Sequence, residues 1–257
     1  MSPRRKPPYN TDMIPDWQLP PGVDRGLHDY MRSGDMVAGY DAMMTASPLA
    51  AFDVRFCAKW FDTPGRLIDL GCGTGRLAKA FVPRGFGYVG VDLSDEMLKA
   101  AEEQNLTPPA PLPWEGRGEK DRSPISLPFL PREGGPGGLG SSSFLRANLV
   151  ELTAHVSGPF DYAACLFSTL GMVRGHENRL KVLRNAAAVL KPGGRLVLHV
   201  HNRYFRGLGL KGWRSGDVTM PQAYGGAPLT LHHFGRGEAV RMLTDAGFRV
   251  LEVLPVG

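Results

Sequence analysis

The chain has 257 residues, 42% of them hydrophobic, and a formal net charge of +5 at pH 7. That length suits a single α/β domain with an extension or insertion, and no apolar run approaches the roughly 20 residues needed to cross a bilayer. The basic start, MSPRRKPPYN, lacks a following apolar core, and Cys57, Cys72 and Cys165 are scattered without a C-x-x-C pair, so the composition argues against a secretory signal, a disulfide frame and a metal site and leaves the cytoplasm as the expected location.

Residues 1–35 read as a basic tail and extension, and residues 36–257 as the main domain. Two helical pieces are predicted around DYMRSGDMVAGYDAMM and SPLAAFDVRFCAKWF. The first is amphiphilic and suited to covering a ligand. In the second, Leu49, Phe52, Phe56 and Trp60 fall on one face that should pack on a sheet, with Ser47 and Pro48 as the N-cap and first-turn residues. From residue 65 onward, strands are predicted at RLIDLG (66–71), YVGVD (88–92), FLRANL (144–149), YAACLF (162–167), RLVLHVH (195–201) and FRVLEVLPV (248–256). Helical runs alternate with them: RLAKAFV, SDEMLKAAEEQ, ENRLKVLRNAAAVL and RGEAVRMLTDAG. KPGG should separate the third of these from its strand, and Gly247 should end the last in a left-handed turn. The order predicts an α/β fold with a doubly wound, Rossmann-like, mostly parallel sheet and helices on both faces.

Two intervals depart from the alternation. Residues 107–143 hold 8 Pro, 7 Gly and 5 Ser in 37 positions, which predicts a disordered Pro/Gly-rich insertion; LPWEG at 112–116 returns as LPREG at 130–134. Residues 202–232 separate the fifth strand from the last helix, and the strand-like LTLHHF within them predicts a hairpin or a substrate lid.

The chemistry concentrates in LIDLGCGTGRLAKAF, residues 67–81. A strand, a glycine turn and a helix make a nucleotide site, but the dinucleotide fingerprint is G-x-G-x-x-G. Here Gly71, Gly73 and Gly75 alternate, and Asp69 stands directly before them, where its charge would repel a pyrophosphate and suit an ammonium group. Asp92 closes the second strand, placed to accept two hydrogen bonds from a ribose diol, and Ser94 caps the following helix, whose first turn carries Asp95 and Glu96. A ligand with a ribose, an adenine and a zwitterionic amino acid uses all of these features, and S-adenosylmethionine is such a ligand.

On these motifs the sequence resembles the class I S-adenosylmethionine-dependent methyltransferases over about residues 36–255, the insertion excepted. The resemblance implies the following roles. Gly71, Cys72, Gly73 and Gly75 lie under the methionine part of the cofactor, with Asp69 on its ammonium side and Tyr40 closing over it. Asp92 holds the ribose, Leu93 lies beside the adenine, Asn148 meets the adenine amino group and Leu149 is its apolar neighbour. Phe167 and Ser168, in FDYAACLFSTLG, stand at the pocket mouth. It also implies an antiparallel hairpin at the end of the sheet, for which the chain offers one strand at 248–256 and the region 217–234.

Methyl transfer from a sulfonium is an in-line displacement, so orientation is the main demand and a base is needed only for an acceptor with a proton to lose. His199 and His201 point to the same side of a strand, and His201 is nearer the carboxyl edge, which makes it the candidate catalytic base, with a hydrogen-bonded structural histidine as the blander alternative. His232 and His233 precede the last helix, and one of the pair is expected to be exposed. A small-molecule acceptor is the favoured reading. The alternatives are RNA, through the basic segment 174–214 with ten Lys/Arg against Glu177, and a non-catalytic S-adenosylmethionine-binding protein. Against RNA stand the missing N-P-P-aromatic signature, replaced by LFST, and the missing Pro-Cys nucleophile.

Overall fold

Five strands form the central sheet of this computed structural model, which describes residues 14–32, 34–105, 140–204, 216–220 and 228–255. They are β1 (Arg66–Leu70), β2 (Gly87–Asp92), β3 (Ser142–Arg146), β4 (Phe160–Cys165) and β5 (Leu190–Leu198), all parallel and ordered β3-β2-β1-β4-β5. The order reverses between β1 and β4, and that switch point opens a crevice beyond the carboxyl ends of the strands. Three helices precede the sheet: α1 (Arg25–Met31), α2 (Gly34–Ala46) and α3 (Pro48–Trp60). The crossovers carry α4 (Arg76–Phe81), α5 (Asp95–Asn105), α6 (Thr169–Met172) and α7 (His176–Val189), and α8 (Arg236–Asp245) follows. A short antiparallel pair, β6 (Asp217–Met220) and β7 (Leu229–His232), forms a separate sheet, as LTLHHF predicts.

Strand periodicity sorts the core into two layers. Ile68, Leu70, Val89, Val91, Ala163 and Cys165 turn to the side of α7 and α8, while Leu67, Tyr88, Tyr162 and Ala164 turn to α3 and α4. Asp69 shares the second face, and the fully buried Tyr88 finds its hydrogen-bond partner there, donating its hydroxyl to Asp69 Oδ2 at 2.7 Å.

Several expectations are corrected. The most buried face of α3 is Ala50, Asp53 and Cys57; Leu49, Phe52, Phe56 and Trp60 are only partly buried, although Phe56 and Trp60 do pack against the core on this side of the sheet. The rotation has a physical cause: Asp53 is drawn inward by Arg76 Nη2 at 3.2 Å and His199 Nδ1 at 2.8 Å. Ser47 occupies the N-cap of α3, but its side chain makes no capping bond. Residues 248–255 form no strand. Gly247, at φ 92°, ends α8 as expected, and the segment beyond is held by side chains, with Glu252 bound to Lys59 Nζ at 2.7 Å and Trp60 Nε1 at 3.0 Å. Apolar alternation alone makes no strand without a backbone ladder to join. The main sheet therefore ends at β5 among the described residues, and β6–β7 does not extend it. KPGG falls inside β5 rather than before it: Leu190 already pairs with Phe160, the turn bulges out, and pairing resumes at Arg195 with Tyr162. The predicted insertion, 107–143, runs too far at its end, because Ser142 and Ser143 pair with Tyr88 and Val89 in β3; residues 107–139 lie outside the described residues. Of the predicted lid, 205–215 and 221–227 also lie outside them.

Candidate active site

The glycine loop takes its shape from backbone that side chains would strain. Gly71, Gly73 and Gly75 have φ of 79°, 53° and 78°, and a Cβ on Gly71 would collide with Thr169. The loop's amides are spent within the protein. Gly71 and Cys72 N–H donate to the Val91 carbonyl at 2.7 and 3.1 Å, Gly75 N–H to Cys72 at 3.1 Å, and Gly73 N–H to Asp92 Oδ2 at 2.9 Å. A pyrophosphate would need those donors free, so the loop is a rigid floor and not an anion cradle. Asp92 Oδ1 accepts a second amide, Ser94 N–H, at 2.9 Å. Both carboxylate oxygens are thereby fixed in direction, and each keeps a lone pair for a diol. Ser94 Oγ accepts the Met97 N–H at 3.3 Å, the cap expected from the sequence.

A cavity runs across the switch point. Among the residues proposed from sequence, Tyr40, Gly71, Gly73, Asp92, Leu93, Asn148, Leu149 and Phe167 line it. Asp69 and Cys72 line a smaller adjoining cavity, which also touches Tyr40, Gly71 and Phe167. Gly75 and Ser168 border neither: Gly75 packs behind the loop against Asn105 and Phe144, and Ser168 is fully buried with its Oγ accepting His201 N–H at 3.4 Å. The Tyr40 hydroxyl stands 3.2 Å from where a Cβ on Gly73 would sit, so its ring closes over the loop. Asn148 Oδ1 caps the turn at Val150 N–H (3.0 Å), and its Nδ2 donates to the Pro21 carbonyl (2.9 Å), leaving one lone pair and one N–H for a ligand.

Sequence reasoning missed the cavity's outer wall and one cation. Pro21, Gly22, Val23, Leu27, Tyr30 and Met31 line the same cavity, with the Pro21 carbonyl against Asn148. This strap is clipped down by Arg174 N–H on the Gly22 carbonyl at 2.8 Å, by Arg174 with Asp24 at 3.1 Å, and by Ser94 Oγ on the Met31 carbonyl at 3.0 Å. PPGVD reads as an ordinary turn, and no local pattern identifies it as a pocket wall. Arg76, next after GTG, borders the smaller cavity opposite Asp69 and is braced by the Ala50 carbonyl at 2.6 Å and by Asp53. Its position in the sequence was the available signal.

The electrostatics match a zwitterion. Burial is the largest influence on Asp69 and pushes its carboxyl up to about 6, against the opposing Tyr88 hydroxyl and Arg76. Burial also lifts Asp92 above the usual carboxylate range, opposed by the amides of Ser94 and Gly73. Two acids held dry beside one guanidinium suit a ligand that brings its own cation. Burial raises the thiols of Cys72 and Cys165, the latter to about 12, so neither is a nucleophile.

Beyond Phe167 lies a histidine cluster. His201 stands 6.0 Å from Phe167, 6.1 Å from His199 and 5.3 Å from His233, centroid to centroid. Burial, then the neighbouring His233 and His199, depress His201 to about 4, which keeps it neutral near pH 7. Contrary to expectation, both His232 and His233 are buried. His232 is drawn in by two carboxylates, Asp217 at Nδ1 and Glu238 at Nε2, each at 2.7 Å. No group of metal-ligating side chains occurs among the described residues.

Comparison with known proteins identifies the family. A methyltransferase-domain family matches residues 46–253. Bacillus subtilis YqeM is 25% identical over 169 residues, covering 64% of this chain and 53% of YqeM. The ubiquinone biosynthesis O-methyltransferase of Xanthomonas campestris pv. campestris is 27% identical over 169 residues, covering 64% and 56%. The chain thus spans about half the length of these curated relatives. In fold it is similar to a SAM-dependent methyltransferase of Methanosarcina mazei, with a TM-score of 0.54 at 22% identity over 74% of this chain and 82% of the other. The family match runs over well more than half of the residues, and the chain belongs to the class I S-adenosylmethionine-dependent methyltransferases.

Proposed function

We propose that the chain transfers the methyl group of S-adenosylmethionine to a small-molecule acceptor seated beyond the carboxyl ends of β4 and β5, with His201 as the proton acceptor. One observation carries this reading: Phe167 borders both cavities on one side and stands edge-on to His199 and His201 on the other, so a single ring separates the donor pocket from the basic groups. When bound, the cofactor supplies an electrophilic methyl on a sulfonium. Asp92 would hold the ribose diol, Asp69 and Arg76 the ammonium and carboxylate of the amino-acid end, and Tyr40 would shut the pocket against water. Those residues bind and orient; in-line displacement asks for little more.

The polar side of the acceptor site is imidazole, and a neutral imidazole suits a group that donates a proton, such as a hydroxyl. The relatives named as O-methyltransferases, 25–27% identical, favour the same class. The RNA reading loses support from the basic segment. Arg174, Arg179, Lys191, Arg195 and Arg203 are each paired with an acid, which leaves Lys181 and Arg184 as the cations of the segment with no ion pair among the described residues.

The deciding experiment is transfer of labelled methyl into separated small-molecule, RNA and protein fractions of an extract. Label in the small-molecule fraction is expected. Label confined to RNA would replace this reading, and cofactor binding without label anywhere would favour a non-catalytic binding protein.

A further inference from the structure

We propose that His233 is a positioning residue for His201: its Nδ1 accepts a ring N–H of His201 and leaves the other nitrogen of His201 to take the proton of a protic acceptor. The inference rests on the transferase reading above and on an unmet atom. His233 is 7% exposed, and its Nδ1 is buried without a hydrogen-bond partner among the described residues. A buried acceptor left unpaired costs about 1–3 kcal/mol, which a fold keeps where something else uses the group.

The scaffold holds the two rings in reach of one another. Phe234 N–H donates to the His201 carbonyl at 2.8 Å and Arg203 N–H to the Phe234 carbonyl at 2.9 Å, so the residues around His233 lie in register with those around His201. His233 is fixed further by its N–H on the Gly216 carbonyl at 2.6 Å, and His201 by its N–H on Ser168 Oγ at 3.4 Å. The ring centroids are 5.3 Å apart with planes at 51°, a separation that a small rotation converts into an N–H···N bond. Such bonds commonly tighten only when the site fills.

The chemistry of the neighbours sets the direction. The Asn202 backbone favours the protonated ring of His233, as a carbonyl facing a ring N–H does; with Nδ1 unpartnered that contact falls to Nε2, which puts the lone pair on Nδ1. The carboxylate of the cluster, Asp53, lies 2.8 Å from Nδ1 of His199, within ion-pair distance but out of line for a hydrogen bond, so it stands nearest that ring. Among the described residues no acid is hydrogen-bonded to the His201 ring as in the usual dyad, and the nitrogen of His233 takes that place. Burial holds both rings neutral near pH 7, so each has one proton and one lone pair to offer.

The step balances simply. The acceptor's O–H or N–H proton passes to His201 as the new bond to the methyl carbon forms, and the broken C–S bond leaves its electron pair on sulfur. A weakly basic imidazole suffices, because the acceptor's proton becomes strongly acidic as the methyl arrives. The substrate class that follows is a neutral nucleophile that carries an O–H or N–H to lose, such as a hydroxyl or a primary or secondary amine, and not a tertiary amine.

The test compares wild type, H233N and H233L as full-length proteins with 15N-labelled histidine, saturated with S-adenosylhomocysteine. In H233N the amide oxygen stands where Nδ1 stood; in H233L nothing accepts. Calorimetry should give the same S-adenosylhomocysteine affinity in all three. H233L should lose about tenfold or more of the single-turnover label transfer into the small-molecule fraction, and H233N should recover most of it. NMR should show one His201 tautomer in wild type and H233N and a mixture in H233L. Equal losses in both variants, full activity in H233L, or an unchanged His201 tautomer in H233L would overturn the proposal. A wild type that fails to bind S-adenosylhomocysteine would instead overturn the transferase reading. A wild type that binds it but labels nothing would remove catalysis while the tautomer still decides the pairing.

Discussion

The two halves of the crevice treat their polar groups differently. On the donor side the carboxylates are each fixed by partners within the fold: Asp92 takes two backbone amides, Asp69 takes the Tyr88 hydroxyl, and Asp41 takes Thr74 and Gln104. On the acceptor side His233 keeps an open nitrogen, His201 is ringed by other aromatic rings, and Phe167 and Ser168 are non-glycine residues at φ 50° and 64°. Left-handed backbone at such residues costs energy and persists where the surroundings enforce it, often at functional sites. A donor pocket that always meets the same ligand can be saturated and preorganised. An acceptor pocket has to hold unmet valences for a group that arrives with each turnover.

The sharpest way to break this comparison is Asp92→Ala. It removes a charged acceptor and strands the Gly73 and Ser94 amides in a buried site. S-adenosylhomocysteine affinity should fall at least about tenfold, with about 2 kcal/mol of stability lost as well. Unchanged calorimetric affinity would mean that the ribose is held elsewhere. Next in size is Asp53→Ala, which leaves Arg76 without its ion-pair partner and His199 without its carboxylate at the seam between the halves. About 3 kcal/mol of stability should be lost in a urea titration; a loss near zero would show that solvent already carries those charges.

A smaller effect follows from Asp69. Its carboxyl is raised from 3.8 to about 6 in the folded chain, so its contribution to stability is present below the unfolded value and is lost as pH rises through about 6. A cationic ligand favours the carboxylate, so S-adenosylhomocysteine affinity should strengthen from pH 5 to about 6 and level off above it, with proton release on binding. Asp69→Asn should flatten both dependences, and a slope that survives the substitution would assign the proton to another group. The smallest effect is expected from reversing Lys181 and Arg184 to glutamate. Stability should move by about 0.5 kcal/mol or less, and the distribution of label should not change. A loss of label from RNA alone would revive the polyanion reading.

The donor side was readable because its determinants are local. Asp69, the three glycines and Asp92 sit at fixed offsets from strands that hydrophobic periodicity reveals, and the resemblance to the family placed Tyr40, Asn148 and Phe167 as well. The acceptor side was not readable in this way. His201 and His233 are 32 positions apart in sequence and meet only because residues 232–234 dock against the chain after β5. The exposure expected for one of the His232–His233 pair failed for the same reason, since the carboxylates that draw His232 inward lie on β6 and α8.

The sequence by itself determined the parallel sheet, the glycine loop with its two acids and the cofactor class, because each follows from spacing within one strand, turn and helix. Only the tertiary structure decided which face of α3 is buried, that residues 248–255 join no sheet, that the strap around Gly22 walls the pocket, and that the histidines gather beyond Phe167. Those outcomes depend on partners distant in sequence, and burial of a polar group or formation of a strand is decided by what waits on the other side.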